Sequence, residues 1–277
     1  MLKNALSIDL EDWFCVHNLS AAIHRDDWDS CELRVRENTE KILTLLERHR
    51  TKATFFVLGW IAERVPDLIR EVEQKGHEIG VHGYNHLLLT EITPDEFDKD
   101  LQRALDAITK AGVKTRPRGF RAPSFTIVEN TKVWALPILE KHNFTYDSSV
   151  FPIGFHPDYG IVDSPLRPYK ITENLYEFPM SVLDVLGRRF PFSGGGYFRI
   201  FPYAYTKYCM KKLNSQGHPA VFYLHPWELD PDQPRIKELS RMQKFRHYRN
   251  LDLTEARLAR LLSDFSFTTI SEVLGFE

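Results

Sequence analysis

The chain has 277 residues, 43% of them hydrophobic and 27% charged, the composition of a globular protein with a sizeable buried core. Its 36 basic and 38 acidic residues leave a net charge of −2, which argues against nucleic acid or an anionic membrane as the main partner. Cys15, Cys31 and Cys209 are an odd count without C-x-x-C spacing, which argues against a disulfide framework and against a structural zinc site.

The opening "MLKNALSIDLEDWF" shows no signal-peptide pattern, and no apolar run is long enough to span a bilayer. The chain as given reads as cytoplasmic, with peripheral membrane attachment as the variant of that reading. "ALSIDL" predicts a buried strand, and "ENTEKILTLLERHR" a helix with Ile42, Leu45 and Leu46 on one side. "KATFFVLG" predicts a second strand, "VPDLIREVEQKG" a helix stopped by Gly76, and "HEIGVHG" a short strand. "TPDEFDKDLQRALDAITKAG" predicts a helix with a Thr cap, Pro in its first turn and Gly112 at its end. "RPRGFRAPSF" reads as strand, "TKVWALPILEKHN" as helix and "FTYDSSVF" as strand. From "YGIVDSPLRPYK" to "FSGGGYFRIFP" the pattern becomes short strands and turns, an expected insertion at about residues 155–205 of a single domain spanning 1–277. "AVFYLHPWELD" returns to a buried strand, and the tail is a helix followed by a last short segment. Strands alternating with amphipathic helices imply parallel strands and an α/β fold, with polar strand ends gathered on the rim of a (β/α) barrel.

Those strand ends carry the chemistry. "SIDLEDW" offers Asp9, Glu11 and Asp12; "HGYNH" offers His82 and His86; "FRAPSF" offers Arg121; "YDSS" offers Asp147; "YLHPWE" offers His225 and Glu228. His82 and His86 are four residues apart, which on a helical turn would aim both rings at one ion. With a carboxylate they fit a three-ligand catalytic metal site. Glu11 shares a strand face with Asp9, whereas Asp12 would turn in if the strand has already ended, so both remain candidates for the third ligand. His77 is expected to pack or hydrogen-bond. "GGGYF" lacks the Lys-Ser/Thr of a phosphate loop and leads into no clear helix; it is expected to be a tight turn beside the cleft. Tyr197 and Phe198 are candidate sugar contacts there, Trp227 a candidate cleft wall and Trp60 a core residue.

The set resembles the polysaccharide deacetylase family with the NodB homology domain, carbohydrate esterase family four, over roughly residues 5–150 and 215–274. Five family motifs have counterparts in order: "SIDLED" for T-F-D-D, "HGYNH" for H-[ST]-x-x-H, then "RAPSF", "YDSS" and "LHPWE". Leu10 follows Asp9 where the family has an adjacent ligand, and Gly83 replaces the usual Ser or Thr. "DLEDWF", "GGGYFR" and "YLHPWELD" resemble more narrowly the deacetylases of exopolysaccharide and exosortase loci, which have a C-terminal extension.

The resemblance implies a deformed (β/α) barrel and hydrolysis of an N-acetyl group on an N-acetylhexosamine of a glycan or glycan precursor. It implies one divalent metal, with zinc expected, on His82, His86 and a carboxylate. Asp9 would be the general base, Arg121 would hold it ionised, His225 would protonate the leaving amine, and Asp147 would orient His225 or Arg121. Two other readings stand beside this one: a deformylase or cyclic amidase on the same scaffold, and a non-catalytic glycan-binding barrel.

Overall fold

In a computed structural model, the described residues are 2–154 and 159–276, so residues 155–158 of the expected insertion lie outside them. The strands are β1 (Lys3–Leu10), β2 (Thr54–Val57), β3 (Glu78–Val81), β4 (Gly119–Phe120), β5 (Tyr146–Asp147), β6 (Tyr169–Lys170), β7 (Tyr176–Glu177), β8 (Val182–Val185), β9 (Arg188–Pro191), β10 (Val221–Leu224) and β11 (Ser266–Thr268). The helices are α1 (Val35–Arg48), α2 (Gly59–Arg64), α3 (Pro66–Gln74), α4 (Pro94–Lys110), α5 (Glu129–Lys141), α6 (Gly195–Ile200), α7 (Tyr203–Ser215), α8 (Arg241–Tyr248), α9 (Leu251–Asp264) and α10 (Ile270–Leu274).

The main sheet curls in the order β10-β1-β2-β3-β4-β5-β7-β6, with β11 also on β1. Every pairing in it is parallel except β6 with β7. This is the expected α/β barrel, open rather than closed. Parallel strands need helical crossovers that cover both faces, and β1 accordingly buries every residue from Asn4 to Leu10. Its two faces differ. Leu6, Ile8 and Leu10 pack into the large cluster under the helices, which also takes Ile42, Leu45 and Leu46 of α1. Ala5 points the other way, into an inner cluster with Phe56, Tyr146, Val221 and Tyr223. Alternation therefore carries Ser7 and Asp9 inward, and on β10 it carries His225 inward after Val221 and Tyr223. The register Ile8↔Leu224 sets Asp9 beside His225 at the rim.

The Thr93 cap of α4 is a full capping box: Glu96 N–H donates to Thr93 Oγ1, and Thr93 N–H donates to the Glu96 carboxylate at 2.7 Å. Three readings need correction. The segment 82–86 is a loop after β3 and not a helical turn. "GGGYFR" opens a helix, α6, and Gly194 and Gly195 at its start sit where no side chain fits. Phe198 on that helix is fully buried against Phe222, so it is core and not a sugar contact. α7 and α8 were not apparent from the sequence pattern.

Candidate active site

The rim gathers side chains from the ends of β1, β3, β4 and β10. At the end of β1, Glu11 N–H closes a tight turn onto Asp9 C=O at 3.0 Å, which keeps Glu11 aimed at the rim after the strand has ended. Glu11, His82 and His86 offer ligand atoms within 4.8 Å of one another, and all three are buried. The His82–His86 loop achieves this with left-handed backbone at Gly83 (φ 71°) and His86 (φ 53°). A non-glycine residue there costs about 1–3 kcal/mol and must be held in place. Asp100 of α4 does so by accepting from Tyr84 N–H at 2.7 Å and Asn85 N–H at 3.1 Å. Arg25 adds a bond from Nε to Asn85 C=O at 2.6 Å. A Cβ on Gly83 would meet Asp100 Oδ2 at 3.0 Å in a strained conformation, which accounts for glycine where the family has Ser or Thr.

The donor set fits a cation. His82 Nδ1–H donates to Arg121 C=O at 2.8 Å, leaving the Nε2 lone pair free, and burial pushes the imidazole down to about 4, so it is neutral. Glu11 Oε2 is buried without a hydrogen-bond partner and lies 3.1 Å from His86 Nε2. Burial pushes the Glu11 carboxyl up, but the imidazoles of His86, His225 and His82 outweigh it and hold it at about 2. Two imidazoles and one carboxylate suit a divalent metal of the zinc type.

Asp12 is not part of this cluster. Its side chain turns the other way and accepts from Trp13 N–H (2.8 Å), Arg34 N–H (2.7 Å) and Val35 N–H (2.8 Å), tying β1 to the start of α1. Three backbone donors engage it, and Glu11 is the carboxylate placed beside His82 and His86. Glu11→Gln is therefore expected to abolish metal uptake measured by elemental analysis. Asp12→Asn keeps the metal but loses about 1–3 kcal/mol of stability in denaturant titration, because an amide NH2 then faces buried donors.

Beside the cluster stand two ionic pairs. Asp9 Oδ1 accepts from Arg121 at 2.7 Å, and Arg121 is fully buried; its other bonds go to Ser7 Oγ and to Ser148 C=O and Oγ. Asp147 reaches neither Arg121 nor His225, contrary to its expected role. One of its oxygens accepts from Ser149 Oγ at 2.5 Å. The other faces Glu177, its cross-strand neighbour on β7. Burial and the Asp147 charge push the Glu177 carboxyl well up.

The second pair is His225 with Glu228. His225 Nδ1–H donates to Glu228 Oε2 at 3.0 Å, and Nε2 stands 3.4 Å from Glu11 Oε1 and 3.8 Å from Asp9 Oδ2. Arg199 of α6, almost fully buried, donates from Nε to Glu228 Oε1 at 2.7 Å. Burial pulls His225 down, but Glu228, Glu11 and Asp9 outweigh it and raise it to about 9. Glu228 is itself held at about 2, where Arg199 and His225 overcome burial. A Cβ on Gly195 would come within 1.7 Å of Glu228 Oε2, so Gly195→Ala is expected to expel Glu228 from His225 and lower both activity and Tm. Equal pH profiles for Gly195→Ala and the parent would refute this.

A cleft of about 260 Å³ opens over these groups, lined also by Trp227, Tyr223, Phe125, Tyr159 and His17. Trp227 stacks on His225 at 5.3 Å and on His247 at 4.5 Å, forming a wall as expected. Tyr197 is half-buried against Phe151 and is not among the cleft-lining residues; Gly196 and Tyr159 take that place. His77 accepts from Ala53 N–H through Nδ1, and Trp60 is buried among Phe14 and Trp28. Arg199 carried no local signal in the sequence. Glu228 carried a faint one, lying three residues beyond His225.

Fold and site together define an open α/β barrel whose rim carries three residues able to hold a cation, with the Asp9–Arg121 and His225–Glu228 pairs beside them. Residues 20–146 match the polysaccharide deacetylase family, and residues 148–275 match a domain of unknown function, DUF3473. A polysaccharide deacetylase domain thus accounts for residues 20–146 of the chain. It is 37% identical over 100 residues to a peptidoglycan-N-acetylglucosamine deacetylase of Bacillus cereus, covering 36% of each chain. It is 38% identical over 85 residues to a chitooligosaccharide deacetylase of Bradyrhizobium sp., covering 31% of this chain and 39% of that one. The chain thus spans little more than a third of these relatives' lengths. Among solved structures, a candidate polysaccharide deacetylase from Mycobacterium smegmatis aligns with a TM-score of 0.60 at 22% identity, covering 99% and 90% of the two chains. A family 4 carbohydrate esterase pseudoenzyme from Bacillus anthracis aligns at 0.53 and 14% identity, covering 99% and 66%. These likenesses establish the barrel fold.

Proposed function

We propose that the cleft hydrolyses the N-acetyl group of an amino sugar within a glycan, releasing acetate and a free amine. The observation that carries this is the placement of two proton-transfer groups, Asp9 held by Arg121 and His225 held by Glu228, together beside the Glu11, His82 and His86 donors. A divalent ion on those donors, zinc in this reading, would supply positive charge that polarises the acetyl carbonyl and acidifies water.

The chain's own residues do the rest. Arg121 fixes Oδ1 of Asp9, leaving Oδ2 to take the proton of the attacking water. Glu228 fixes Nδ1 of His225, so Nε2–H faces the cleft and donates to the nitrogen as the C–N bond breaks. Asp9 Oδ2 and His225 Nε2 stand 3.8 Å apart, too far for a direct hydrogen bond, so the proton returns through solvent to reset both. Trp227 and Tyr223 offer apolar ring faces to a sugar.

The named relatives act on peptidoglycan and on chitooligosaccharide, which supports an N-acetylglucosamine-type unit. We read residues 1–277 as one functional unit, since β10 and β11 complete the sheet around β1. The presence of Asp9, His225 and all three donors weighs against a non-catalytic binding barrel. The test is acetate release from a panel of N-acetylated sugar polymers, oligomers and nucleotide-linked sugars, with metal added and removed. Formate release or ring opening of a cyclic amide, without acetate, would move the reading to another C–N hydrolase.

A further inference from the structure

The overall charge of −2 conceals one strongly basic stretch. Between residues 235 and 249 the chain carries Arg235, Lys237, Arg241, Lys244, Arg246 and Arg249 against a single acid, Glu238. Most of this stretch is α8. At 100° per residue, Arg241, Phe245, Arg249, Met242 and Arg246 fall within an arc of about 140° on that helix and its C-terminal cap. All five are exposed, Met242 by 60% and Phe245 by 47%, while His247 on the opposite side is buried. Two large apolar side chains thus stand in solvent between three arginines, with no acid on the face.

A face of this composition has a defined physical preference. Arginines attract an anionic surface, and their aliphatic stems extend the apolar patch. A hydrated polyanion such as an acidic polysaccharide would engage the arginines but gain nothing from Met242 and Phe245. An anionic bilayer engages both, because the headgroup boundary accepts apolar side chains. No helix among the described residues is long and apolar enough to cross a membrane, so attachment would be at the surface.

The placement gives this face a purpose. Arg246 and His247 of α8 line the cleft, and His247 stacks on Trp227, which in turn stacks on His225. Asn18, from the short helical turn His17–Leu19 at the same rim, donates to Gln243 C=O at 3.2 Å. The helix is therefore part of the cleft wall, with one side on the site and the other in solvent.

We propose that the exposed face of α8 docks the protein on an anionic lipid bilayer and holds the mouth of the cleft at the headgroup layer. The substrate would then be a glycan carried on a lipid. That consequence rests on the amino-sugar reading above; the docking itself does not.

Co-sedimentation of the full chain with vesicles, measured without substrate, tests it. Phosphatidylcholine vesicles containing phosphatidylglycerol are expected to pellet the protein, pure phosphatidylcholine vesicles are not, and added salt should release it. Each charge removed should weaken binding about fivefold, so Arg241→Gln with Arg249→Gln should lose about 25-fold. Met242→Ser with Phe245→Ser should weaken binding at unchanged charge. Unchanged Tm in both variants shows that the fold is intact. Equal binding to neutral vesicles, or none to anionic ones, overturns the proposal. So does full vesicle binding by Met242→Ser/Phe245→Ser together with competition by soluble alginate, which would make the partner a hydrated polyanion. Failure of acetate release alone would sink the catalytic reading and leave the vesicle result standing.

Discussion

Asp9→Asn is expected to lower the rate of acetate release by about 10²–10⁴-fold while leaving metal content unchanged. The substitution keeps the volume and an oxygen for Arg121 but removes the proton acceptor at Oδ2. It also leaves the fully buried Arg121 guanidinium without its counter-charge. Breaking a buried ion pair from one side costs about 3–5 kcal/mol, so Tm should fall and the assay belongs well below it. Turnover equal to the parent in a folded, metal-loaded sample would remove Asp9 from the mechanism. A loss of metal together with activity would make it a ligand instead.

The second large effect is at His225. An amine leaves poorly unless protonated, so His225→Ala should cut hydrolysis of the amide severely and hydrolysis of an ester with a good leaving group much less. Loss of equal size on both substrates would return His225 to a packing role against Trp227. Glu228 supplies a finer test. His225 must be protonated to donate, and with its pKa raised to about 9 it stays protonated through neutral pH and loses the proton as pH rises through that value. Glu228→Gln removes one of the charges that raise it. The alkaline limb of the rate profile should then move to lower pH, with the acid limb in place. A profile that does not move would mean that Glu228 only packs.

Much of this site was legible because of how parallel strands are built. Strands covered on both faces read as apolar runs, and the run stops where the chain reaches the rim. Asp9, Arg121 and His225 were visible for that reason. The choice between Glu11 and Asp12 was not, because β1 ends at Leu10 and the next side chains are directed by Trp13, Arg34 and Val35 rather than by strand alternation. His82 and His86 met through left-handed backbone pinned by Asp100, so the four-residue spacing pointed to the right pair for the wrong local reason. Asp147 followed the motif order, yet its position on β5 turns its carboxyl toward Glu177, a partner thirty residues on that no local pattern indicates. α6 was hidden by its glycines, which are there for the close approach of Tyr223 and Glu228. α8 was hidden because its outward face mixes arginine with Phe245 and Met242, so no apolar stripe marks the buried side.

The pairing of β1 with β10 bears on how the chain becomes competent. Glu11 and Trp227, which touch at 3.4 Å, are 216 residues apart in sequence, and the span that matches the deacetylase family, residues 20–146, contains neither Asp9 nor His225. A chain emerging in order places one half of the acid–base pair first and the other close to last. Non-local pairing of this kind carries the loop-closure cost of almost the whole molecule, and the contacts that repay it form only when the ends meet. Forms in which β1 and β10 have not paired would therefore lack the Asp9–His225 juxtaposition, however well their cation site is made. The pairing of β1 with β10 is the contact that brings Asp9 and His225 together.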